Sequence, residues 1–147
     1  MAVVPPPASQ RRVLVDSSAF LALRDRDDEH HSEAIAIFNQ LAAQRYRLYT
    51  TNTMLIEAHA LILSVLGNRQ ASQFVQEIDQ SSTSVVRVRQ SDEEQAKQIL
   101  YRYSDKDFSF NDAISFTVME RLNISSAFTF DRDFGQYGLA VVQADRI

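Results

Sequence analysis

Cysteine is absent from the 147 residues, which excludes a disulfide framework, thiolate zinc sites and a cysteine nucleophile, and fits a cytoplasmic setting. A basic excess is missing too: 15 Lys plus Arg stand against 19 Asp plus Glu, and a net charge of −4 offers no bulk attraction to nucleic acid. Any polyanion must be met by local basic patches or through metal ions. No apolar run approaches the roughly 18 residues of a membrane span. The opening residues, with Pro5-Pro6-Pro7 and Arg11-Arg12, lack the apolar core of a secretion signal. Residues 1–11 are expected to form a disordered tail and residues 12–147 one domain, because an apolar share of 45% suffices for a single core.

What is present is organised around Arg12-Val13-Leu14-Val15-Asp16-Ser17-Ser18. A β-branched and aliphatic run leads straight into an acid, and apolar residues at helical density follow it, so Asp16 belongs where a strand ends and a helix begins. That helix reads as Ser17 to Leu23 and ends in a charged turn, Arg24 to Glu29. A second helix spans about Glu29 to Gln44, with Ala34, Ile35, Phe38, Leu41 and Ala42 on its expected buried face. Tyr46 to Thr50 is a strand closing on the capping residues Thr51-Asn52-Thr53. Helices are predicted over Met54 to Leu66, stopped at Gly67-Asn68, and over Arg69 to Asp79. Ser84 to Val88 is a further strand, and Ser91 with Glu94 spells a capping box opening a helix to about Tyr103. Ser109-Phe110-Asn111-Asp112 opens another, to about Leu122. Ala127 to Phe130 reads as a strand ending at Asp131, then a short helical piece at Phe134 to Tyr137 and a last strand at Leu139 to Val142. Strands alternating with helices imply an α/β fold with a parallel sheet covered on both faces, and right-handed crossovers place the strand C-termini on one edge.

Asp16 and Asp131 both follow strand candidates and converge on that edge, where ligands of open α/β sheets bind. Each also has a structural reading as a helix N-cap. Asp112 has the same two readings, since Ser109-x-x-Asp112 resembles a capping box. Glu57 lies among Met54, Leu55, Ile56, Ala58, Ala60 and Leu61, with no Lys or Arg between Arg47 and Arg69. A carboxylate in such surroundings neutralises, pairs with a distant base or binds a cation. Several acids in one crevice raise one another's pKa unless a divalent ion favours the ionised forms. An oxygen-only donor set suits Mg²⁺ or Mn²⁺, and such sites serve phosphoryl transfer.

These residues resemble the PIN-domain nucleases, in particular the VapC-like toxin ribonucleases of bacterial toxin–antitoxin pairs. Val13-Leu-Val-Asp16-Ser-Ser-Ala is similar to the family's opening strand and first acid, and Thr53-Met-Leu-Ile-Glu57 to its helical second acid. Ser109-Phe-Asn-Asp112-Ala matches the third, and Thr129-Phe-Asp131-Arg-Asp133-Phe134 the closing motif. The resemblance implies a three-layer α/β/α domain with a parallel sheet of four or five strands. It further implies a Mg²⁺- or Mn²⁺-dependent endoribonuclease whose catalytic and metal-binding acids are Asp16, Glu57, Asp112 and Asp131, with Asp133 as a fifth metal-binding acid. An RNA substrate, a cognate antitoxin and a homodimer belong to the same implication. Ser17 or Ser18, and Thr129, are candidates to orient the carboxylates. The basic pairs Arg24 and Arg26, Arg45 and Arg47, Arg87 and Arg89, and Arg102 and Lys106 are candidate phosphate contacts, each with solvated surface as its alternative. Tyr46, Tyr49, Tyr103 and Phe108 are read as core or core edge, with base stacking as the alternative. His30 and His31 are expected on the surface, His59 packed, and Asn111 exposed in a first helical turn.

Two rivals place the same residues differently. One is a PIN-like RNA-binding or interaction module that does not cleave. The other is a receiver or haloacid-dehalogenase-like phosphatase built on a phosphorylated aspartate. The second lacks support, because Ser18 stands where the phosphatase pattern has its second acid and no Lys follows Lys106, where a receiver has one.

Overall fold

The apolar run at Arg12–Val15 forms the central strand, β1, of a five-stranded sheet. In this computed structural model, residues 6–144 and 147 are described. Residues 1–5 of the expected tail therefore lie outside the described residues, while Ala8–Gln10 make one turn of 3-10 helix whose Ser9 carbonyl accepts from Arg12 Nε at 2.9 Å. The chain continues through α1 (Ser17–Arg24), α2 (His31–Ala43), β2 (Arg47–Thr51), α3 (Asn52–Leu66), α4 (Asn68–Gln80), β3 (Ser84–Val86), α5 (Gln90–Arg102), α6 (Phe110–Leu122), β4 (Ser126–Phe128), α7 (Arg132–Tyr137) and β5 (Ala140–Val141).

The strands run in the order β3-β2-β1-β4-β5, and every pairing is parallel. The progression reverses between β1 and β4, where Leu14 pairs with Ala127 and Val15 with Phe128. Such a reversal opens a crevice at the C-terminal edge, because the following helices leave on opposite faces. Alternation along β1 serves both layers. Val13, Val15 and Phe128 pack with α1, α2 and α4 on one face, while Leu14 and Ala127 pack with α5, α6 and α7 on the other. The α/β/α layering and the five parallel strands agree with the expected fold.

Three local expectations are corrected. On α2 the buried residues are Ala34, Ile37 and Leu41, while Ile35 is 37% and Phe38 40% exposed. The helix turns these two side chains into an open groove rather than onto the sheet. At α5 the N-cap is Arg89, not Ser91, and the Asp92 carboxylate rather than Glu94 accepts the capping N–H at 2.9 Å. Asp92 is held there by a bidentate pair with Arg121, at 2.9 and 2.8 Å, a partner that no local pattern reveals. Finally, β4 ends at Phe128, because Thr129 leaves the ladder to turn its hydroxyl toward Asp16.

Candidate active site

Asp16 follows β1 directly and is 2% exposed. Its Oδ1 accepts from Ser18 Oγ at 2.7 Å and from the Ala19 N–H at 3.2 Å, and its Oδ2 accepts from Thr129 Oγ1 at 2.8 Å. The capping reading of Asp16 is thus realised by one oxygen, which closes the first turn of α1, while the other faces Thr129 just beyond β4. Burial pushes its carboxyl up to about 6, against the three hydrogen bonds and with a smaller contribution from Asp131.

Asp131 caps α7 through Oδ1, which accepts from the Asp133 N–H at 2.9 Å. Its own N–H donates to Thr129 Oγ1 at 2.9 Å, so one hydroxyl links the acids that follow β1 and β4. Ser18 braces the same loop by accepting from the Phe130 N–H at 2.9 Å. Asp112 sits in the first turn of α6. Ser109 Oγ accepts from its N–H at 3.0 Å, which caps the helix without consuming the Asp112 carboxylate. Burial, then the charge of Asp131, raises that carboxyl to about 7, with Asp16 and Glu57 adding repulsion. Glu57, in the second turn of α3, accepts from Ser17 Oγ at 2.5 Å.

The five acids named from the sequence therefore meet at one edge, although not equivalently. Carboxylate oxygens of Asp112, Asp131 and Asp133 lie within 4.8 Å of one another. Asp16 and Glu57 flank this triplet, near enough to repel Asp112. Asp133 is also pushed upward, by burial and then by Asp131. Crowding of three acids, with the carboxyls of Asp112 and Asp133 pushed upward, makes a site that a divalent cation relieves, and its oxygen-only character suits a hard ion.

Sequence reasoning missed two contributors. Asn111 is not merely exposed: its Oδ1 accepts from Thr53 Oγ1 at 2.8 Å and its Nδ2 donates to the Thr53 carbonyl at 3.3 Å, joining the start of α6 to that of α3. Phe130 is the aromatic residue beside the acids, and the His30 ring lies on it at 4.5 Å and 5° between planes. Tyr103 and Phe108 instead join Phe116 and Tyr137 in an aromatic cluster of the α6 layer, and Tyr49 packs there as well. Arg24 is committed to Glu77 at 2.8 Å, whereas Arg132 directly follows Asp131.

Residues 13–139 match the PIN domain family model. The chain is a PIN-domain protein. This PIN domain is 32% identical over 136 residues to the 23S rRNA-specific endonuclease VapC20 of Mycobacterium tuberculosis, covering 90% of the chain and 99% of that protein. The crystal structure of that VapC20, described as a sarcin–ricin loop cleaving toxin, superposes with a TM-score of 0.83 at 30% identity, over 89% of this chain and 98% of the other. VapBC2 of Rickettsia felis, bound to a promoter DNA fragment, shares the fold at a TM-score of 0.67 and 10% identity, over 89% and 97% of the two chains. FitAcB of Neisseria gonorrhoeae does so at 0.64 and 14%, over 92% and 99%. Among the described residues, no helix of the PIN domain is long and apolar enough to cross a membrane.

Proposed function

We propose that this PIN domain is a Mg²⁺- or Mn²⁺-dependent endoribonuclease and the toxin of a type II toxin–antitoxin pair acting in the cytoplasm. The observation that carries the reading is the meeting of Asp112, Asp131 and Asp133 within 4.8 Å, beside Asp16 and Glu57. The similarity to a 23S rRNA-specific endonuclease over nearly the whole chain supports RNA as the substrate.

Asp112, Asp131 and Asp133 would hold the ion, with Asp16 and Glu57 completing the acid set. When bound, a divalent ion favours the ionised carboxylates and lowers the pKa of a water for attack on a phosphodiester. The protein's part is orientation. Ser18, Thr129 and the Ala19 N–H fix both oxygens of Asp16, and Thr129 couples that position to the Asp131 loop. Ser17 holds Glu57 Oε2, which leaves Oε1 to accept a proton from the attacking water.

The antitoxin reading has its own support. Ile35, Phe38, Phe74 and Ile78 line a groove of about 420 Å³ with the Arg24–Glu77 pair at its margin, apolar surface suited to a partner's amphipathic segment. Ile56, 68% exposed, and Leu63, 42% exposed, lie on one face of α3 and support a homodimer contact.

Purified protein should cut a structured-RNA panel with Mg²⁺ or Mn²⁺, fall silent with EDTA, and be inactive as folded Asp16→Asn and Asp112→Asn variants. Cutting that persists in both variants would reject the acid cluster as the catalytic centre. Metal binding without cutting would instead favour a non-cleaving RNA-binding module.

A further inference from the structure

A second recess, of about 250 Å³, opens beside Asp131 and is lined by Phe130, Arg132, Glu33 and Gln143 among others. We infer that it is a subsite for one unpaired nucleotide flanking the scissile phosphate, with Phe130 as its stacking wall and Glu33 with Gln143 reading the edge of the base. This rests on the ribonuclease reading above and extends it to base selection.

Position comes first. Asp131 belongs both to the acid triplet and to the lining of the recess, so a strand whose phosphate meets the acids presents its neighbouring base to this space. Rigidity comes second. The Phe130 ring is stacked on His30 and meets Phe128 edge-on at 6.1 Å, and its backbone N–H is tied to Ser18. A fixed aromatic wall stacks any base without first being ordered. His30 is anchored in turn by its backbone N–H, which donates to Asp28 Oδ1 at 2.8 Å.

Chemistry comes third. The rim combines a guanidinium, a carboxylate and a carboxamide, which match the phosphate and the base edge of a ribonucleotide. A carboxylate only accepts hydrogen bonds, so Glu33 selects a base that offers N–H donors on its pairing edge. Guanine presents two side by side, and is the base favoured here. Glu33 lies three residues after His30, the N-cap of α2, so the start of one helix supplies both the reader and the backing of the wall.

The test has two arms that do not depend on each other. In the first, the four ribonucleoside 5′-monophosphates are titrated into the ¹⁵N-labelled full chain with Mg²⁺ and followed by NMR. GMP should shift the amides of Phe130, Arg132 and Gln143, bind more tightly than the other three, and lose roughly tenfold in affinity on Phe130→Leu. In the second, a randomised RNA pool is cut and the new ends are sequenced. The wild type should show a base preference next to the cut that Glu33→Gln, an exposed and structurally mild change, flattens. Nucleotides that leave these amides unmoved overturn the subsite, as does a preference identical in wild type and both variants. GMP bound in the recess of a protein that cuts no RNA supports the subsite and overturns the nuclease reading alone.

Discussion

Thr53 and Asn111, 58 residues apart in sequence, exchange hydrogen bonds in both directions, hydroxyl to side-chain oxygen and side-chain amide to backbone carbonyl. Because α3 carries Glu57 and α6 carries Asp112, this clamp sets the separation of two acids. Asn111→Ala should lower stability by about 1–2 kcal/mol, from two net hydrogen bonds of ordinary strength. It should also weaken Mn²⁺ binding in calorimetry. Unchanged metal affinity at reduced stability would make the clamp purely structural.

The raised carboxyls make metal-free stability fall with rising pH. Folded Asp112 holds its proton to about 7 and Asp16 to about 6, whereas the ordinary aspartate value is 3.8. Between about pH 4 and 7 the folded state binds more protons than the unfolded state, so unfolding becomes easier as pH rises through that window. The melting temperature in EDTA should therefore drop from pH 5.5 to pH 8, by about 2–4 °C for each kcal/mol lost. Asp112→Asn should flatten the profile and raise its alkaline end. A metal-free melting temperature that climbs over this range would contradict the assigned burial.

Divalent metal should reverse that trend. Binding requires ionised acids, so Mn²⁺ affinity should increase through pH 6 to 7 with release of protons, measurable by calorimetry in buffers of different ionisation enthalpy. Stabilisation should grow with metal concentration as mass action dictates. Binding without proton release would imply acids already ionised in the free protein.

Thr129→Val keeps the shape of the side chain and removes both the donor to Asp16 and the acceptor for the Asp131 N–H. Asp16 should then titrate higher still by carboxyl-carbon NMR. Cleavage should fall about tenfold or more, in line with the loss of a residue that orients an acid of the proposed metal site. Thr129→Ser should restore most of the activity.

Asp92 and Arg121 form a nearly buried bidentate pair distant from the proposed chemistry, with the Asp92 side chain 2% exposed. Burial opposes ionisation of Asp92, yet the Arg121 guanidinium and the Arg89 N–H hold its carboxyl below the usual range. Arg121→Ala should cost about 3–5 kcal/mol by stranding the carboxylate. Denaturant unfolding measures the loss, while the folded fraction should bind Mn²⁺ normally.

Much of this organisation is legible in the sequence because it is local. Alternation and strand-to-helix transitions locate β1, α3 and α6, and the acids stand at or near those transitions. What escaped depends on distant partners. The α5 cap uses Asp92 because Arg121 is there to balance it, 29 residues away. Asn111 looks idle until Thr53 is brought beside it. His30 belongs to a charged turn in sequence, and only the closing of β4 against β1 delivers Phe130 to its face. Ile35 and Phe38 face a groove for a related reason, since helical periodicity marks an apolar stripe without saying whether protein or open space lies opposite.

The bond from Thr129 to Asp16 spans 113 positions of the chain. During synthesis, β1 and its acid emerge long before β4 can close against them. The carboxylates consequently remain scattered through most of translation, and the chain acquires its acidic centre late, in the same step that completes the middle of the sheet. Premature termination upstream of β4 would leave the producing cell with fragments that carry at most three of the acids and no assembled centre.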